Sequence, residues 1–149
     1  MQSQARDVGG RRVVIVVCDK GDDPVAAITE AAGRHGVRAA QITAVGGFQR
    51  ATLGYFDRDR RDYRPIPVDD QVEVLSFLGD LATADGKSVA HVHVVLGRAD
   101  GSTVGGHLQR AEVWPTLEVI LTEVAPELAK QVDPQTGLAL IDLDLTEQS

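Results

Sequence analysis

The chain has 149 residues, of which 43% are hydrophobic, and a formal net charge of −7. These values fit one soluble domain with its own core, and the acidic balance argues against broad contact with nucleic-acid phosphates. A single cysteine excludes a disulfide within the chain. No segment is long and apolar enough to span a membrane, and the N-terminus lacks a secretory leader pattern. The sequence therefore predicts a cytoplasmic protein with no membrane association.

The N-terminal region predicts a lead-in followed by a buried strand. Residues 1–10 are expected to be a flexible lead-in, ahead of a single domain that covers residues 11–149. The run RRVVIVVC at residues 11–18 is rich in β-branched side chains. A continuous run of this kind is typical of a strand that is buried on both faces.

A helix is predicted over residues 24–35. Asp23 is a good N-cap, Pro24 suits the first helical position, and Gly36 suits the position just past the end. His35 lies near the expected C-terminus, where an imidazole interacts well with the helix dipole. We therefore interpret His35 as a structural residue rather than a ligand.

The rest of the chain predicts a succession of strands with short turns. Gly46-Gly47 separates the first two segments and predicts a turn or a bulge. The last segment also fits a helix by pattern, although its β-branched content favours a strand, and the tail after residue 132 is ambiguous. One helix followed by many strands predicts an α+β protein with a mostly antiparallel sheet. The predicted strands are residues 39–45, 51–57, 71–82, 88–97, 102–109 and 116–124.

Three of the four histidines lie in one short stretch, HVHVVLGRADGSTVGGHL. His91 and His93 are two residues apart, which places both side chains on the same face of a strand. An Asp-Gly turn follows and predicts a hairpin. A turn centred on Asp100 places His93 opposite His107 and His91 opposite Gln109. Since directly opposed residues share a face, the three imidazoles are expected to converge.

Three neutral imidazoles on one face suit Zn²⁺ or another divalent transition metal. The alternative is a polar strand face on which each histidine bonds to backbone or solvent. Glu73 and Glu118 lie inside apolar strand patterns. Each is either an acidic partner that orients the histidines or a side chain on the solvent face of its strand.

The order of these motifs resembles the plants-and-prokaryotes-conserved domain, or PPC domain. The segments that carry the resemblance are GDDPVAAITEAA, AAQITAVGGFQRATLGYFD, VEVLSFLGDLATADGK, HVHVVLGRADGSTVGGHL and TLEVILTEV. They extend over about residues 11–145, nearly the whole chain. The most specific part is H-x-H followed by an Asp-Gly turn and then G-G-H-L.

The resemblance implies a compact α+β domain that assembles as a homotrimer, and it implies that some prokaryotic members carry a metal, with zinc expected, on their histidines. The family's H-x-H matches His91 and His93, and the histidine of its G-G-H-L matches His107. Glu73 and Glu118 match acidic positions of the prokaryotic pattern. These matches select the same three histidines as the hairpin register.

The plant members of the family carry an AT-hook that binds DNA, and its Arg-Gly-Arg-Pro core is absent here. Direct DNA binding is therefore not expected of this acidic chain, and the small-molecule ligand is left open. Three functions stay open at this point. The first is a homotrimeric metal-binding domain, the second a protein-interaction or DNA-associated regulatory module, and the third a zinc-dependent hydrolase or lyase whose substrate the sequence does not name.

Overall fold

The computed structural model of the protein describes residues 1–125 and 127–146. Nine strands form one sheet, in which only β5 and β8 pair in parallel among the described residues. The predicted α+β class, with a mostly antiparallel sheet and few helices, is confirmed. The elements in chain order are β1 (Gln2–Val8), β2 (Arg11–Cys18), α1 (Pro24–Arg34), β3 (Ala40–Asp57), β4 (Asp62–Val68), β5 (Val72–Ala84), β6 (Lys87–Gly97), β7 (Thr103–Glu123), β8 (Ala129–Val132), β9 (Ala139–Asp142) and α2 (Leu143–Thr146).

Four strands of the sheet pair in a closed cycle, because β3 pairs with β5, β5 with β6, β6 with β7, and β7 with β3. Their alternating apolar residues form the core, in which Phe48 and Phe77 are the largest fully buried side chains. Burial of each such ring stabilises the fold by roughly 1.5–3 kcal/mol. Helix α1 packs against β2, β6 and β7.

The predicted flexible lead-in at residues 1–10 is wrong, because Gln2–Val8 form strand β1. This strand pairs antiparallel with β2 along its whole length, from Gln2 opposite Val17 to Val8 opposite Arg11. Gly9 and Gly10 connect the two strands with φ of 59° and 80°. Two successive positive φ angles are the requirement of a tight hairpin turn that glycine meets at little cost. The Gly-Gly pair was the sequence signal for this hairpin.

Strand β2 is buried on one face only, so the prediction of burial on both faces is also wrong. Val14 and Val16 are fully buried, whereas Ile15 and Val17 on the opposite face are 43% and 38% exposed. Alternate residues of the β-branched run therefore pack in the core, and the residues between them form an apolar surface on the outer face.

Helix α1 forms as predicted. The Asp23 carboxylate accepts a hydrogen bond of 2.9 Å from the backbone N–H of Ala26, which satisfies a donor that the first helical turn leaves free. Pro24 occupies the start of the helix, and Gly36 follows the C-terminus with a φ of 67°. His35 caps this end, and its Nε2 lies 3.0 Å from Ser3 Oγ, so its structural role is confirmed.

In two places, two segments predicted as separate strands form one long strand in the structure. Strand β3 runs through Gly46-Gly47 without a turn, and the pairing with β5 and β7 shifts register there. The bulge interpretation of these glycines is therefore right. A Cβ on Gly46 would lie 2.2 Å from the Thr116 carbonyl oxygen, so β7 approaches β3 too closely for any side chain. Strand β7 has 21 residues and includes the segment 116–124 up to Glu123, which confirms the strand interpretation.

Within the described residues, no helix combines the length and the apolar character that crossing a bilayer requires.

Candidate metal centre

Strands β6 and β7 bring the three histidines together. His93 lies directly opposite His107 in the pairing of these strands, as the hairpin register predicts. The pairing with β7 begins at His93, so His91 does not face Gln109 across the hairpin. Instead His91 lies opposite Asp80 of β5. His91 and His93 are on the same face of β6, so that all three rings converge on one side of the sheet.

The three rings are within contact distance of one another. Ring centroids are 5.0 Å apart for His91 and His93, 5.2 Å for His91 and His107, and 5.6 Å for His93 and His107. The Nε2 atoms of His91 and His93 are 3.2 Å apart, and one ring nitrogen from each histidine lies within 4.8 Å of the others. Two nitrogens bound to one tetrahedral zinc ion at about 2.0–2.1 Å lie about 3.4 Å apart.

The surroundings of His91 and His107 keep these two imidazoles neutral. Burial, with repulsion from the other two rings, lowers the pKa of His107 to about 4. Burial, followed by repulsion from the nearby Lys130 ammonium, also lowers the pKa of His91. A neutral imidazole has a free lone pair, which is the form that binds a metal ion. Both residues are therefore in the binding form at neutral pH.

An unsatisfied polar atom also fits a bound metal. His107 Nδ1 is buried and has no hydrogen-bond partner among the described residues. Buried polar atoms almost always have a partner, so an orphaned one fits a position that binds a ligand, an ion or water. The three imidazoles thus fit a divalent transition metal, with room in its coordination shell for a further ligand.

Tyr63 of β4 forms one wall of the site. Its ring stacks on the His107 ring, with centroids 4.6 Å apart and planes 22° from parallel. The glycine at position 54 makes room for this ring, because a Cβ on Gly54 would lie 2.7 Å from Tyr63 Cδ1. No local sequence pattern marks Tyr63, since its approach to His107 depends on the pairing of β4 with the far end of β3.

An acidic residue and a lysine lie behind His91. The Asp80 carboxylate has one oxygen, Oδ2, 4.0 Å from His91 Nδ1, and its other oxygen forms an ion pair with the ammonium of Lys130. Among the described residues, Lys130 is the only charged residue that is buried. No sequence pattern marks either Asp80 or Lys130 as a neighbour of the histidines. Asp80 and Glu73 lie in the same apolar strand segment. Only the register of that strand shows which of the two carboxylates lies next to the histidines.

Glu73 and Glu118, the acidic residues considered as partners of the histidines, lie elsewhere and are exposed. Glu73 is opposite Gly97, four residues along β6 from His93, which is roughly 13 Å at the spacing of a strand. Glu118 is opposite Val17 and belongs to the other half of β7 from His107. Both therefore fit the solvent-face alternative, and Asp80 takes the place next to His91.

The fold and the site together define a small, mostly antiparallel β domain that gathers three histidines on its outer face. The chain belongs to the Plants and Prokaryotes Conserved domain family, abbreviated PCC or PPC, whose profile matches residues 5–125. This confirms the family that the sequence motifs resemble.

Solved structures of relatives share the whole fold. A metal-containing protein from Archaeoglobus fulgidus is 32% identical, with a TM-score of 0.81 over 95% of this chain and 96% of that one. A PPC protein from Pyrococcus horikoshii is 25% identical, with a TM-score of 0.83 over 95% of this chain and 94% of that one.

A curated relative, the bifunctional protein GlmU of Synechococcus sp. strain JA-3-3Ab, is 33% identical over 98 residues. The match covers 64% of this chain but only 14% of the relative. The chain therefore corresponds to a small part of that protein.

Proposed function

We propose that the protein is a homotrimeric zinc-binding domain in which His91, His93 and His107 are the metal ligands. The observation that carries this proposal is the convergence of three imidazoles, with one nitrogen from each inside a 4.8 Å cluster. The orphaned Nδ1 of His107 supports it from an independent direction. The Archaeoglobus fulgidus relative, described as metal-containing, adds support from a protein of the same fold.

The chain's own residues define what such a site does. The three histidines hold the ion on the face of β6 and β7, and the Tyr63 ring closes one side beside His107. With three protein ligands, bound zinc supplies an open coordination position that accepts water or an anionic or carbonyl group. We therefore assign ligand binding to the site, with the Asp80 carboxylate beside His91 and the Tyr63 ring beside His107.

Metal titration of untagged protein tests the proposal. Wild-type protein is stripped with a chelator, loaded with zinc, desalted and analysed for metal. We expect about one zinc ion per chain, and none in a variant that carries His91→Ala, His93→Ala and His107→Ala. A His35→Ala variant is the matched control, because His35 bonds to Ser3 outside the site, and it should bind like wild type. Equal zinc in the triple variant and in wild type would refute the assignment.

The homotrimer is proposed from the resemblance and from the outer face of the sheet. Neighbouring strands align Ile15, Ile120, Thr43, Leu78 and His93 in one row across that face. Three of these residues are large and apolar, with exposures of 43% for Ile15, 48% for Ile120 and 57% for Leu78. A contiguous apolar surface on a soluble protein marks an interaction site, and this row ends at the metal ligands.

A further inference from the structure

The C-terminal hairpin contributes a buried cation to the region behind the metal site. Lys130 lies on β8, and its side chain is only 2% exposed. Strand β8 joins the sheet next to β5, with Ala129 opposite Thr83 and Lys130 opposite Ala84. This hairpin lies after residue 125, where the match to the family ends. A buried lysine needs a partner, because an unpaired ammonium in the interior costs several kcal/mol.

The partner of Lys130 also faces a metal ligand. Asp80 lies opposite His91 across β5 and β6. One carboxylate oxygen pairs with Lys130, and the other lies 4.0 Å from Nδ1 of His91. The other nitrogen of the same ring, Nε2, points at His93. The carboxylate is therefore on the side of the ring that does not face the metal site.

We propose that Asp80 and Lys130 are positioning residues for His91. Asp80 accepts the Nδ1 proton of His91 in a hydrogen bond once a small rotation of the ring closes the 4.0 Å separation, which leaves the lone pair of Nε2 on the side of the other two histidines. Lys130 fixes the Asp80 carboxylate by holding its other oxygen. The C-terminal hairpin thereby takes part in organising the three-histidine site. The consequence for metal affinity rests on the proposed function, whereas the position of the His91 proton does not.

The chemistry of carboxylate and imidazole supports this role. A carboxylate on the distal nitrogen of a metal-binding histidine fixes the tautomer and the orientation of the ring, and loss of such a partner costs about 10–100-fold in metal affinity. The ion pair with the Lys130 ammonium offsets the charge of the Asp80 carboxylate behind the site. A lysine that merely fastened the hairpin to the sheet would have no effect on the tautomer of His91.

The first measurement is the tautomer of His91 in metal-free protein, read from long-range ¹H–¹⁵N NMR spectra. We expect the Nδ1–H form in wild type, and loss of this preference in both Asp80→Asn and Lys130→Met. Lys130→Arg, which keeps the cation, should retain it. The matched control is Lys87→Met, because Lys87 is an exposed lysine that also lies opposite Ala84. An unchanged His91 tautomer in folded Lys130→Met would overturn the role of Lys130, and in Asp80→Asn it would overturn the whole inference.

The second measurement is a Co²⁺ titration of the same variants, followed by the visible absorption of the bound ion. We expect Asp80→Asn and Lys130→Met each to weaken binding about 10–100-fold, and the double variant to bind like Asp80→Asn alone. An additional loss in the double variant would show that Lys130 acts by another route and would overturn its placement. The double variant leaves no buried unpaired charge, so it carries this test even if Lys130→Met alone does not fold.

The two measurements separate this inference from the proposed function. If wild type binds no Co²⁺ while the tautomer changes as expected, the metal proposal falls and the positioning of His91 stands. If wild type binds Co²⁺ and folded variants match it in both tautomer and affinity, the metal proposal stands and the positioning role falls.

Discussion

His107 shows how the surroundings of a single residue can disfavour protonation of an imidazole. The residue lies where β7 passes between β6 and β3, opposite His93 on one side and Gly54 on the other, with Tyr63 over its ring. These neighbours take the imidazole out of water and lower its pKa to about 4. A ring that resists protonation at neutral pH presents its one free lone pair to a cation without competition from protons.

Acid should therefore destabilise the metal-free protein partly through His107. An unfolded histidine has a pKa of about 6.5, so between that pH and the folded pKa of about 4 the unfolded chain binds more protons. The free energy of unfolding falls as the pH is lowered through this window. Urea denaturation in the presence of a chelator measures this dependence. We expect the free energy of unfolding to depend less steeply on pH in His107→Gln than in wild type or His35→Gln. Equal slopes in all three proteins would contradict the lowered pKa of His107.

The stacking of Tyr63 on His107 depends on the glycine beneath it. In Gly54→Ala the new Cβ would lie 2.7 Å from Tyr63 Cδ1 and 3.2 Å from Gln109 Nε2. The tyrosine must move, so we expect a loss of about 1–3 kcal/mol in stability and weaker metal binding, measured by urea denaturation and Co²⁺ titration. Gly33→Ala is the control, since nothing lies within 4 Å of its Cβ and alanine favours a helix by up to about 1 kcal/mol. Equal stability of the two variants would argue against the wall assigned to Tyr63.

At the scale of elements, two long strands, β3 and β7, carry the architecture. Strand β3 pairs with β4, β5 and β7, and β7 pairs with β2, β3 and β6. Each of these strands therefore pairs with different partners along its two halves. Strand β3 changes its pairing register between the halves, at the Gly46-Gly47 bulge. The first half of β7 carries His107 of the three-histidine cluster, and its second half builds the core with β2.

The bulge in β3 gives a test at this scale. A Cβ on Gly46 would lie 2.2 Å from the Thr116 carbonyl oxygen and 2.8 Å from Leu117 Cα, and the φ of Gly46 is 149°. Because backbone atoms cannot move aside as a side chain can, Gly46→Ala should cost about 3 kcal/mol or more, the upper end of overpacking costs. Val45→Ala, at an exposed position next to it, should change stability by less than about 1 kcal/mol. Chemical denaturation of the pair measures the difference, and similar midpoints would contradict the close approach of β7.

The elements also show what the sequence could predict. The helix at Asp23, the hairpin at the Asp-Gly turn and the pairing of His93 with His107 all follow from local signals, and each is found in the structure. Asp80 and Tyr63 reach the site through pairings between strands that are distant in the sequence. Local pattern carries no information on such pairings. For the same reason the sequence pattern does not distinguish Glu73 from Asp80, whereas the register of β5 against β6 places Asp80 opposite His91.

At the scale of the whole molecule, the outer face of the sheet carries a row of exposed apolar residues on an otherwise acidic protein. Ile15 and Ile120 are directly opposed on β2 and β7, and the row continues through Leu78 to His93. Such a surface in water favours association with an equivalent surface. Assembly through this face would cover the apolar row and shelter the three histidines at its end.

A charge placed in this row should break the assembly. We expect Ile120→Glu to have the mass of one chain, 15.9 kDa, because burying an unpaired carboxylate in an interface is costly. Val8→Glu is the matched control, since Val8 is exposed on β1 away from the row, and it should keep the mass of wild type. Light scattering measures all three, and an Ile120→Glu protein with wild-type mass would exclude this face as the interface.

Native mass spectrometry of untagged, zinc-loaded protein tests the central claim most directly, because one spectrum reports both the number of chains and the number of metal ions. We predict particles of three chains that carry three zinc ions, and particles without zinc when His91, His93 and His107 are all replaced by alanine. Wild-type particles that contain no metal after loading and desalting would contradict the account, since the three converging imidazoles would then hold no ion.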